Sequence, residues 1–100
     1  MPNKLYGGLP EGKFRTFAKQ SVVAYWNDNK KLVDKFGKIS TKDVFVVWQV
    51  KAIQNAKACL GVNCDGDGMY FEFTYNGDAR EGYLDVYKKQ RKVVYPYKGK

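Results

Sequence analysis

Residues 69–87 constrain the fold more than any other part of the chain. Met69, Phe71, Phe73 and Tyr75 alternate with Tyr70, Glu72 and Thr74. Strict alternation marks a strand with one face buried and one wet. Asn76-Gly77 follows, and both residues accept positive φ, which makes the pair a strong hairpin signal. Beyond it Gly82, Leu84 and Val86 alternate with Glu81, Tyr83, Asp85 and Tyr87. A two-residue loop sets Glu72 opposite Glu81, and a four-residue loop sets it opposite Tyr83. Both keep Phe71 and Leu84 on one face, so the pattern predicts the hairpin and leaves its register open.

A second hairpin is expected upstream. The run Val44-Phe45-Val46-Val47-Trp48-Gln49-Val50-Lys51-Ala52-Ile53 is dense in β-branched and aromatic residues, which favour strands. Under a period of two, Val44, Val46, Trp48, Val50 and Ala52 share the core face, while Phe45, Val47, Gln49, Lys51 and Ile53 share the other. In the next segment Ala56, Ala58, Leu60 and Val62 share a face opposite Lys57 and Cys59. A loop around Asn55 that brings Ala52 opposite Ala58 keeps the apolar faces together. A tight turn at Gln54-Asn55 would set Ala52 opposite Lys57, so the longer loop is preferred. The competing reading is a helix from Thr41 to Leu60, because Val44, Val47, Trp48, Ala52, Ala56 and Cys59 also fit a helical stripe and Thr41 is a capping residue.

The first third of the chain changes period. Phe14, Phe17, Ala18, Ser21, Val22 and Tyr25 recur at steps of three and four after Pro10, which predicts an amphipathic helix over residues 10–28. Asn27-Asp28-Asn29 weakens its end, and a short turn of helix follows, stopped by Gly37. The expected architecture is α+β: an N-terminal helix packed on one face of a four-stranded antiparallel sheet made of two hairpins. Residues 1–100 form a single small domain with a basic tail at 88–100. Residues 91–97 suit a short fifth strand, with Pro96 confining it to an edge or marking its end.

Charge is segregated along the chain. The total is +8, from 18 Lys/Arg and 10 Asp/Glu. Residues 1–43 carry nine bases against four acids, residues 44–87 three against six, and residues 88–100 six bases and no acid. Such separation steers anionic partners, whereas scattered lysines serve mainly solubility. No apolar run approaches the ~18 residues of a membrane span. The N-terminal residues lack an apolar signal core, so neither membrane nor secretion is expected and the chain reads as cytoplasmic.

Several chemistries lose support. With no histidine, the commonest general base and metal ligand are missing. Cys59 and Cys64 have neither zinc-ribbon spacing nor a His partner, and reduced thiols are expected. Lys51 and Lys57 are expected near Cys59, where they would favour thiolate. The sequence Asp65-Gly66-Asp67-Gly68 suggests a calcium loop, but its twelfth position is Asn76 rather than a bidentate Glu. Glu72 and Asp85 are neighbours on the polar sheet face and form the best carboxylate pair, although no pocket is implied around them. No enzyme, metal or cofactor is expected.

The blocks Val47-Trp48, Leu60, Asp67-Gly68-Met69-Tyr70, Thr74-Tyr75-Asn76-Gly77-Asp78 and Tyr87-Lys88-Lys89 resemble a family of small uncharacterised proteins of phages and prophages of Gram-positive bacteria. The resemblance spans roughly residues 14–90. It implies a bacterial host cytoplasm and carries no activity or site residue. The Gly-, Asp- and Cys-rich loop after Leu60 is more elaborate here than is usual in that family.

The remaining constellation is aromatic and basic. Tyr70, Tyr83 and Tyr87 fall on the face away from the helix, and Lys88, Lys89, Arg91 and Lys92 follow directly. Tyrosines stack on the bases of single strands, and cations track phosphates. Against this, tyrosine is an ordinary strand residue, and Glu72, Glu81 and Asp85 on the same face repel phosphate. The expected function is that of a non-enzymatic phage accessory protein binding single-stranded nucleic acid. The alternative is a protein-binding module aimed at a host or phage enzyme, such as an anti-defence inhibitor. A homodimer seam at Phe45, Val47 and Ile53 is a third reading.

Overall fold

The computed structural model describes residues 5–52, 55–63 and 68–99. The chain opens with two short paired strands, β1 (Leu5–Tyr6) and β2 (Leu9–Pro10). Helices α1 (Glu11–Asp28) and α2 (Lys30–Phe36) follow. A 3-10 turn at Thr41–Asp43 then leads into β3 (Val44–Ala52), β4 (Asn55–Val62), β5 (Met69–Asn76) and β6 (Glu81–Lys88). These last four form an antiparallel sheet in the order β3-β4-β5-β6. Helix α1 contacts every strand of that sheet. The expected α+β layering is therefore present, and the helical alternative for residues 41–60 is overturned.

Helix α1 buries Phe14, Ala18, Val22 and Trp26, a stripe at every fourth residue. Trp26 extends the expected stripe by one turn, while Phe17, Ser21 and Tyr25 flank it half-buried. The stripe meets Ala56, Ala58, Leu60, Phe71, Phe73 and Tyr75 in one core. Its rings interlock edge-on: Phe17 lies 5.0 Å from Phe73, and Tyr25 6.1 Å from Phe71. Such pairs add about 0.5–1.5 kcal/mol beyond the area they bury.

The link between the helices and β3 is held by side chains. The Asn29 Oδ1 accepts from the Leu32 N–H and caps α2, and Gly37, at φ 84°, ends it. The Asn27 side chain donates to the Ile39 carbonyl and accepts from the Ile39 N–H, both at 2.9 Å. The Trp26 indole N–H donates to the Gly37 carbonyl at 3.0 Å. Ser40 and Asp43 form a reciprocal capping box that starts the 3-10 turn.

Both hairpin registers differ from expectation. Ala52 pairs with Asn55, not with Ala58 or Lys57, so two residues join β3 to β4; Ile53, one of them, lies outside the described residues. Only Val44 and Val46 of the expected apolar face still meet Val62 and Leu60, because a β-bulge at Val47 shifts the register between Val46 and Trp48. In the second hairpin Asn76 pairs with Glu81 across a four-residue loop, which puts Glu72 opposite Asp85 rather than Glu81 or Tyr83. The Asn76 side chain accepts from the N–H groups of Asp78 and Ala79, and Arg80, at φ 56°, closes the loop. Asn76 thus ends the strand instead of occupying the turn. Residues 89–99 form no fifth strand.

Candidate functional site

The bulge at Val47 decides what the open side of the sheet displays. Before it, Val44 and Val46 point toward the helices. After it, the parity reverses: Gln49 and Lys51 lie on the helix side, and Trp48 and Val50 turn outward. This corrects the expectation that Trp48 and Val50 share the core face with Val44. The inward polar residues are received by polar partners. The Gln49 amide donates to Glu11 at 2.9 Å and to the Tyr6 hydroxyl at 3.1 Å. Arg15 donates to Glu11 at 2.6 Å, and the Lys51 ammonium lies 5.7 Å from the centre of the Tyr6 ring. The strand therefore gives its polar residues a built network and its large apolar ones to solvent, the reverse of what burial alone would select.

The result is an open aromatic face. Phe45, Trp48, Tyr70, Tyr83 and Tyr87 all lie on it, each 39–45 % exposed. They extend from β3 to β6, about 14 Å at ordinary strand spacing. Tyr70 and Tyr87 are cross-strand partners whose rings stack at 5.0 Å and 13°. Phe45 lies over Gly61, its cross-strand partner, which leaves room for the ring. The expected tyrosines are all outward, and Phe45 and Trp48 join them. Simple alternation from Val44 puts Phe45 outward, apart from the tyrosines, and leaves Trp48 on the core face. From Val44 to Trp48 every residue is apolar, so an inserted bulge leaves no trace in the pattern.

The centre of the face is charged. Glu72 lies between Lys57, 3.1 Å away, and Asp85, its cross-strand partner. Cys59 is the cross-strand partner of Glu72 on the other side. Burial first, and then the Glu72 charge, push the Cys59 thiol above its usual range. The expected thiolate environment is corrected, because Lys51 lies on the opposite side of the sheet. Cys64 and Asp65–Asp67 lie outside the described residues. Tyr83 donates to Glu81 at 2.8 Å, and that hydrogen bond is the main reason its phenol is raised. Tyr87 is raised first by the charge of Glu72.

The basic residues are less closely gathered. Lys88 pairs with Met69 on the helix side of the sheet, away from the tyrosines. Lys89 lies beside Gly68, and its N–H donates to the Gly68 carbonyl at 2.9 Å. Arg91 and Lys92 are exposed on the irregular tail. By chain connection the cations adjoin the Tyr70–Tyr87 stack, while Glu81 lies at the far end of β6. Among the described residues, no helix is long and apolar enough to cross a membrane, and no group of three or more His, Cys, Asp or Glu could hold a metal ion.

The chain belongs to a family of unknown function, DUF6275, whose model matches residues 15–97. No curated protein and no solved structure matches it.

Proposed function

We propose that the open sheet face binds single-stranded nucleic acid, its rings stacking on bases and its tail cations tracking phosphates. The observation that carries this reading is the set of five exposed aromatic rings on one uncovered face. A bulge and a dedicated polar network turn one of those rings outward. Stacking on such rings contributes about 1–3 kcal/mol per base and tolerates any sequence. Uncharged bases suit the middle of the face, where Glu72 and Asp85 would repel phosphate. The backbone would run past the Tyr70–Tyr87 end toward Lys89, Arg91 and Lys92. A duplex hides the base faces that stacking needs, so single strands are preferred. The protein would work without catalysis, as a phage accessory protein in the cytoplasm of a Gram-positive host. The block resemblance to small phage and prophage proteins supports that setting.

Fluorescence anisotropy of labelled oligonucleotides tests the proposal. Single strands should bind more tightly than duplex, with affinity falling steeply as salt rises. Trp48→Ala and Tyr87→Ala should each weaken binding. Absence of binding at low salt overturns the reading. A second reading rests on the strip Phe45, Val47, Trp48 and Val50, which is apolar and exposed along β3. It suits a protein partner, such as a host or phage enzyme held in an inhibited state. Salt-resistant recovery of one enzyme, lost in Val50→Asp, would favour it.

A further inference from the structure

Beyond the nucleic-acid reading, and independent of it, the tail and the β6 edge have matching features. Residues 89–99 follow no regular path, and Val93, Val94, Tyr95 and Tyr97 are 52–87 % exposed. Val and Tyr are strand formers, so this is a strand-like segment with no strand to pair with. The Cα radius of gyration is 15.7 Å. A compact chain of this length has about 13 Å, which fits a tail standing off the body.

The sheet has two edges, β3 and β6. The β3 edge is blunted by its bulge and flanked by the N-terminal hairpin through the Gln49–Tyr6 bond. The β6 edge has neither defence among the described residues, and its register is unbroken from Glu81 to Lys88. An added strand would show Val93, Tyr95 and Tyr97 to one side and Lys92 and Val94 to the other. On β6, Leu84 and Val86 lie on the helix side, with Val86 still 38 % exposed, and Glu81 and Asp85 lie on the open side. The apolar row would therefore cover Leu84 and Val86, while Lys92 would meet the acids. Pro96, which has no N–H to donate, is acceptable in an edge strand.

The same pairing within one chain would require reversal at Lys89-Gln90-Arg91. That stretch has no Gly, Asn, Asp, Ser or Pro and would crowd like charges. We propose that residues 92–97 pair with the β6 edge of a second copy, in a reciprocal exchange about a two-fold axis. The exchange brings Arg91 and Lys92 of one copy beside the tyrosine-bearing strand of the other.

Light scattering on the full chain, from micromolar to millimolar concentration and without oligonucleotide, tests the proposal. The expected mass is twice the 11.5 kDa of the chain. The double substitution Val93→Pro with Val94→Pro removes an inward N–H in either register, and should halve that mass while the body keeps a cooperative urea transition. Tyr95→Asp keeps the backbone donors but sets a carboxylate against Leu84 and Val86, and should also halve it. A single-chain mass for the unaltered protein at every concentration overturns the proposal. So does a doubled mass that survives the proline pair.

Discussion

At the scale of single residues, two glycines separate a yielding contact from a rigid one. A Cβ on Gly61 would fall 2.5 Å from the tip of the Phe45 ring, which is exposed and free to swing outward. A Cβ on Gly82 would strike the Phe73 ring, which is buried and held by Phe17 and Phe14. Overpacking a fixed core costs about 1–3 kcal/mol. Gly82→Ala should therefore lower the urea midpoint clearly, and Gly61→Ala should leave it nearly unchanged. Equal effects would refute the contrast. Cys59 supplies a prediction in pH. Its folded pKa is raised, so its contribution to stability is whole below the ordinary thiol range and is lost as pH rises through the folded value. Iodoacetamide should modify Cys59 more slowly than a free thiol at mildly alkaline pH. Glu72→Gln removes the second cause of the shift and should speed the reaction. Fragment-ion mass spectrometry, which separates Cys59 from Cys64, gives the rate.

At the scale of elements, the part of the fold that depends on local periodicity was legible, and the part that depends on register was not. Phe14, Ala18 and Val22 announce α1 because a helix face repeats along the chain. The bulge at Val47 obeys no such rule. It is specified by what lies across the layer, namely Tyr6, Glu11 and Arg15 waiting for Gln49. From the sequence pattern alone Trp48 therefore belongs to the core face. The second hairpin shows the same limit. Asn76-Gly77 announced a turn, yet Asn76 used its side chain to cap the loop and passed the positive φ to Arg80. The α2–β3 link is likewise set at long range, by the two Asn27 hydrogen bonds to Ile39. Asn27→Ala leaves that Ile39 N–H and carbonyl without their partner at a half-buried site, a loss of about 1–3 kcal/mol. Urea denaturation should show the fall in stability, and hydrogen exchange should show Ile39 losing protection before the sheet does. Unchanged protection at Ile39 would mean the clamp is dispensable.

At the scale of the whole molecule, rings and cations divide the proposed task between parts with different physics. The rings sit on a packed sheet, and the cations lie on a segment that leaves it. Stacking is nearly independent of salt, whereas each phosphate contact to a single strand contributes about −0.7 to the slope of log affinity against log salt. Lys89→Gln with Arg91→Gln should therefore flatten that slope by about 1.4 if both touch phosphate. This pair spares Lys92, on which the strand exchange depends. Trp48→Ala should leave the slope unchanged and lower affinity at every salt concentration by about 1–3 kcal/mol. The two variants thus move different parameters of one titration, slope for the tail and intercept for the face. If Trp48→Ala changes neither, the outward ring is not a stacking platform, and the aromatic face must be assigned to a protein partner instead.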